Sequence, residues 1–114
     1  MKTDGRHVVA DIWLNEYQYD NETICQFIAE ALDEANCTVE ETLIKEFAPY
    51  AMTGLWLLSE SHFSIHTFPE RNFISVDCYT CGESADPMVA VCEFVTMLDV
   101  RTTSIKQFER GTRV

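Results

Sequence analysis

The sequence predicts an α+β fold in which an antiparallel sheet carries its helices on one face. Three observations predict it: two stretches with helical apolar spacing, several short apolar runs with strand-like alternation, and helices set between groups of strands.

Residues 7–14 mix Val, Ile and Trp in a short apolar run and read as a strand. Asn21 is placed to cap the helix that follows, with Glu22 in its first turn. In that helix Ile24, Phe27, Ile28, Ala31, Leu32 and Ala35 recur at helical spacing and form one apolar stripe, with acids opposite. Residues 38–47 are a second strand, ended by Ala48-Pro49. Residues 54–60 and 62–68 carry strand patterns rich in Leu, Trp, Ile and Phe. After a turn at 69–72, Phe73–Cys81 places Phe73, Ser75, Asp77, Tyr79 and Cys81 on one face. Residues 82–85 are a loop. Asp86 caps a second helix with Pro87 at its first position, where a missing N–H does no harm. Met88, Val91, Val95 and Leu98 are its expected buried stripe. Residues 102–109 form a last strand, and 111–114 fray.

The 114 residues read as one domain, 1–114, with 46% hydrophobic residues and no linker or repeat. A sheet covered on one side only leaves its other face in need of a partner. A chain this small is also better suited to a site shared between two subunits than to a deep private one. The formal charge of -11, with eight scattered Lys and Arg, argues against a nucleic-acid backbone as partner. An acidic field attracts cations, and it also serves plain solubility. The opening Met1-Lys2-Thr3-Asp4-Gly5 is polar with no apolar run behind it, and no apolar stretch is long enough for a bilayer. Five cysteines, an odd number, fit free thiols in a reducing cytoplasm.

Chemistry concentrates in Leu58-Ser59-Glu60-Ser61-His62-Phe63-Ser64-Ile65-His66-Thr67-Phe68-Pro69-Glu70, with Cys81 downstream. The set holds a hydroxyl nucleophile, a base and a neutral acid, since an ordinary thiol titrates near pH ~8.5 and is protonated at neutrality. Each residue alone has a structural explanation, and Cys25, Cys37 and Cys92 read as small buried hydrophobes. The rival is zinc on His62, His66, Cys78 and Cys81. Strand alternation opposes it, because residues 78 and 81 point to opposite faces while His62 and His66 share a face but stand apart. A redox role for Cys78-x-x-Cys81 lacks the helix N-terminus that lowers a thiol pKa.

Ser59-Glu60-Ser61-His62, His66-Thr67-Phe68-Pro69-Glu70 and Tyr79-Thr80-Cys81-Gly82 together resemble the signature of the short prokaryotic S-adenosylmethionine decarboxylases. Gly5-Arg6-His7-Val8-Val9-Ala10-Asp11 is similar to the start of that family, and the likeness runs from about residue 5 to residue 111. The resemblance implies a proenzyme that cuts itself between Glu60 and Ser61 into 1–60 and 61–114, which stay associated. Ser61 would attack the carbonyl of Glu60, and His66, expected close by, would assist removal of the Ser61 Cα proton. The end product is a pyruvoyl group at residue 61, which takes the substrate amine as a Schiff base and serves as the electron sink that pyridoxal phosphate provides elsewhere. Cys81 matches the proton donor. Neither a metal nor pyridoxal phosphate is implied.

By the same resemblance Phe47 stacks on the adenine and faces the sulfonium of S-adenosylmethionine, Glu70 takes the ribose hydroxyls, the backbone at Glu60 meets the adenine edge, and Asp11 is an acidic site residue. Two positions depart from the family pattern: Thr53 stands where a processing serine is usual, so its hydroxyl is expected to do that work, and Phe68 replaces a Trp. Family members of this length are homodimers whose sheets stack into a four-layer αββα sandwich with two shared sites. Their product is the aminopropyl donor for spermidine. The other readings are a pyruvoyl enzyme acting on a basic amino acid, and a non-catalytic partner or regulatory homologue; the presence of Ser61, His66 and Cys81 together weighs against the latter.

Overall fold

Apolar and polar residues alternate along the central strands, and this divides the sheet into two unlike faces. In the computed structural model, which describes residues 4–59 and 61–111, the elements run β1 (Gly5–Leu14), α1 (Asn21–Glu34), β2 (Val39–Phe47), β3 (Ala51–Leu58), β4 (Ser61–Phe68), β5 (Phe73–Cys81), α2 (Pro87–Thr96) and β6 (Val100–Arg110). The strands form one six-stranded antiparallel sheet in the order β2-β3-β4-β5-β1-β6. Val8, Ala10 and Ile12 of β1, Ile74, Val76 and Cys78 of β5, Phe63 and Ile65 of β4, and Met52 and Trp56 of β3 are buried in one core with the helices. The expected α+β class, with helices on one face, is the observed one. Among the described residues no helix is long and apolar enough to cross a membrane.

Local chemistry explains the helix starts. Asp20, not Asn21, is the N-cap of α1: its Oδ1 accepts from the Thr23 N–H at 2.8 Å. Asn21 is the first helical residue, and its amide donates to Glu46 at 2.9 Å. The apolar stripe of α1 is the expected one, with Phe27 at its half-buried margin. Asp86 caps α2 as expected, accepting from the N–H groups of Met88 and Val89 at 3.0 and 3.3 Å. The buried face of α2 is turned from the expected one. Ala90, Val91 and Phe94 are fully buried, whereas Met88 and Val95 are only partly so, because the Phe94 ring enters the core edge-on to Phe63 at 6.1 Å. That rotation leaves Cys92 exposed, against the expectation that it is buried; Cys25 and Cys37 are half-buried.

Strands begin earlier than propensity suggests because ladder pairing extends them. β3 starts at Ala51, opposite Phe47, and β1 starts at Gly5, opposite Cys81. Of residues 111–114, expected to fray, Gly111 is described as a bend after β6, and 112–114 lie outside the described residues.

Phe94 is the largest α2 side chain in the core, so Phe94→Ala is expected to cost about 3–5 kcal/mol. Denaturant unfolding of the two proteins checks this; a loss below about 1 kcal/mol would mean that the ring is not held in the core.

Candidate active site

The β3–β4 hairpin sets the position of Ser61. Leu58 of β3 pairs with Ser61 of β4, which starts β4 at Ser61. Glu60, the expected cleavage and binding residue, lies outside the described residues. Ser61 is 9% exposed, and its Oγ accepts from the Cys81 backbone N–H at 3.1 Å. Cys81 ends β5, and Gly82 beyond it turns with φ of +80°, a conformation that favours glycine. The following loop is fastened where the Arg6 guanidinium and the Thr80 hydroxyl both donate to the Ala85 carbonyl, at 2.7 and 3.3 Å. Ser61 borders two clefts. One, of about 180 Å³, is shared with Cys37, Ser59 and Cys81; the other, of about 460 Å³, opens on the uncovered face beside Leu55, Leu57 and Tyr79.

The remaining predicted residues gather at the other end of β4. His66 Nδ1 lies 3.2 Å from Thr53 Oγ1. Both sit in a polar row across the uncovered face, Lys45–Thr53–His66–Ser75–Asp11–Ser104, each residue opposite the next in the ladder. Asp11 therefore belongs to the His66 group. Phe47, 48% exposed, pairs with Ala51 at the near end of the same sheet edge. Glu70 lies in the short 3-10 turn Pro69–Arg71 after β4 and lines a cleft of about 480 Å³ with Tyr17, Pro49, Tyr50 and Ala51.

One chain does not bring the two groups together. Ser61 and His66 are five residues apart on a strand, about 16 Å at ~3.3 Å per residue, and strand alternation points them to opposite faces. The expectation that His66 lies close to Ser61 does not hold within a single chain. Nor does the zinc set assemble: Cys78 faces the helices, and burial pushes its thiol pKa up, away from the thiolate a metal needs.

Between the two groups lies a network that the motifs did not single out. Asp77 Oδ2 meets His7 Nε2 at 2.7 Å and His62 Nε2 at 2.8 Å, while Ser64 Oγ donates to Oδ1. His62 stacks on Tyr79 at 6.3 Å, and the Arg110 guanidinium lies 5.7 Å from the same ring. His7, His62 and Asp77 converge closely enough to hold a metal ion. However, Arg110 donates to His7 Nδ1 at 3.1 Å, which leaves the proton of that ring on Nε2, where it is donated to Asp77. The arrangement is a hydrogen-bonded one. Its only hint in the sequence was polar residues at alternate positions of apolar strands. Burial would raise the Asp77 pKa, but hydrogen bonds from His62, Ser64 and His7 outweigh it and hold the carboxyl well below the usual range. The bond to Asp77 raises the pKa of His62 against the opposing effect of burial.

A sequence profile of the family described as S-adenosylmethionine decarboxylase matches residues 6–111. The chain is 43% identical to the S-adenosylmethionine decarboxylase proenzyme of Brevibacillus brevis, over 96% of this chain and 84% of that one. It is 40% identical to proenzyme 2 of Bacillus cereus, over 96% and 90% of the two chains. The crystal structure of the adenosylmethionine decarboxylase from Aquifex aeolicus superposes with a TM-score of 0.90 at 32% identity, covering 100% of this chain and 96% of that one.

The directions of the two shifts set a pH window for the His62–Asp77 pair. The raised His62 pKa adds stability that is full below about 6.5, its unfolded value, and is lost as pH rises through the folded one. The lowered Asp77 pKa adds stability that is full above about 3.9 and is lost as pH falls through the folded value. Asp77→Asn is therefore expected to lower the denaturation midpoint most between about pH 4 and pH 6.5, and less at about pH 9. An equal deficit at pH 5.5 and pH 9 would show that the pair does not titrate in this way.

Proposed function

This chain belongs to the S-adenosylmethionine decarboxylase family, and from that premise we propose that it cuts itself between Glu60 and Ser61 and then decarboxylates S-adenosylmethionine. The observation that carries this reading is the bond from the Cys81 N–H to Ser61 Oγ, at the mouth of the β3–β4 turn. It sets a nucleophile beside the bond to be broken and a thiol-bearing residue beside both.

The processing steps follow from that placement. Ser61 Oγ adds to the Glu60 carbonyl carbon, the C–N bond breaks, and an ester with a free amine results. Removal of the Ser61 Cα proton expels Glu60 as a carboxylate that keeps the former Oγ. Water then replaces the nitrogen, which leaves as ammonia, and residue 61 carries a ketone. The position suits such a pyruvoyl group, because Ser61 borders clefts on both sides of the strand end. When formed, that group supplies an electron sink for decarboxylation. Cys81 delivers a proton to the carbon that has lost carbon dioxide. Its thiol must stay reduced, which fits a cytoplasmic chain whose five cysteines are all free.

The proton chemistry of His66 and Thr53 reaches Ser61 from a second copy. Leu43 (72% exposed), Leu55, Leu57 and Phe108 lie on the uncovered face, an apolar surface that a partner sheet would bury. Two sheets stacked about 10 Å apart around a two-fold axis crossing β4 lay the His66 end of one copy over the Ser61 end of the other. The result is a four-layer αββα homodimer with two shared sites. In each, Phe47, Glu70 and Asp11 of one copy hold the adenosyl group against residue 61 of the other.

Ser61→Ala and His66→Ala should each remain uncut, or nearly so, when made alone. Made together, they should yield fragments of the His66→Ala chain, whose Ser61 then meets an intact His66. Intact mass spectrometry reads the result, and mixed protein that stays whole would rule out the shared site. Cys81→Ala should be cut normally yet lose about 10²–10⁴ in turnover of S-adenosylmethionine, the range expected for a general acid. Full turnover in that variant would remove Cys81 from the mechanism.

A further inference from the structure

Processing removes the side-chain bond that ties residue 61 to β5. Ser61 Oγ accepts from the Cys81 N–H, and in the reaction proposed above this oxygen departs with Glu60. The same cut opens the turn that joins β4 to β3. Residue 61 thus becomes a chain end without its side-chain anchor, yet it has to keep its new ketone in a fixed place. Strand ends without such ties fray.

The next side chains of β4 are tied differently. His62 and Ser64, alternate residues on the uncovered face, both reach Asp77 of β5. The same carboxylate is held from the opposite side by His7 of β1, which Arg110 of β6 supports. His62 is also stacked on Tyr79 at an interplanar angle of 9°. One carboxylate therefore fastens the first two uncovered-face side chains of β4 to the centre of the sheet. None of these bonds involves an atom that processing removes.

We propose that Asp77 is a positioning residue: by gripping His62 and Ser64, it keeps the amino end of β4 in register after the chain is cut and so holds the residue-61 ketone beside Cys81. This rests on the cleavage reading above. It differs from a general stabilising role in one respect, because the grip should matter far more after the cut than before it, while the turn still restrains the strand.

Amide hydrogen exchange of the segment 61–66 tests it in four proteins: cleaved wild type, cleaved Asp77→Asn, uncut Ser61→Ala, and uncut Ser61→Ala/Asp77→Asn. Asp77→Asn is expected to speed exchange about ten- to a hundredfold in the cleaved pair, the range for losing a charge-assisted hydrogen bond, and less than about threefold in the uncut pair. In the cleaved form kcat should fall more than KM rises. Equal acceleration in both pairs, or none in either, overturns the proposal while leaving cleavage intact. A wild-type chain that is never cut overturns the cleavage reading and this inference with it. Should Asp77→Asn not fold, His62→Gln, which leaves the His7–Asp77 bond in place, must give the same contrast; a uniform effect in that variant overturns the proposal equally.

Discussion

Two short helices can cover one face of a six-stranded sheet and no more, and that constraint decides where chemistry can sit. The covered face is filled chiefly by apolar side chains packed against the helices. Polar residues are displaced to the other face, where Thr53, His66, Ser75 and Asp11 line up across the strands. The alternation that builds the core also assembles this polar row. The uncovered face carries large apolar side chains as well, so it combines a polar row with a surface that water does not suit.

Splitting the reactive residues between the two ends of β4 has a physical logic. A nucleophile and base held permanently together beside the bond to be cut could begin cutting the chain while it was still folding. Ser61 lies at one end of β4 and His66 toward the other. On the shared-site reading, folding and pairing come first and chemistry follows, which makes assembly the condition for activation.

The candidate site residues Ser61, His66, Glu70 and Cys81 were legible in the sequence because they sit in short contiguous motifs, and the class of fold was legible from periodicity. Alternation along Phe73–Cys81 correctly put Asp77, Tyr79 and Cys81 on one face. What alternation does not supply is cross-strand register. That Ser64 faces Asp77, or that His7 faces Tyr79, depends on which residues pair between strands far apart in the chain. The Asp77 network was invisible for that reason. Nearness in sequence also misled: His66 lies five residues from Ser61, yet a strand turns that interval into distance and opposite direction. Asp20 and Asn21 are both good capping residues, and only the backbone geometry at Asp20 separates them.

The strand order β2-β3-β4-β5-β1-β6 bears on what a cut at 60–61 leaves behind. Residues 1–60 contribute β1, β2 and β3, and β1 is inserted between β5 and β6 of the other fragment. The pieces are interleaved rather than placed side by side, so separating them means breaking the β1–β5, β1–β6 and β3–β4 ladders together. Before the cut, those pairings are closures within one molecule; afterwards their recovery from the unfolded state needs two molecules to meet. Refolding would then depend on concentration, and the mature protein would owe its lifetime to the slowness of unfolding rather than to an equilibrium it can readily restore.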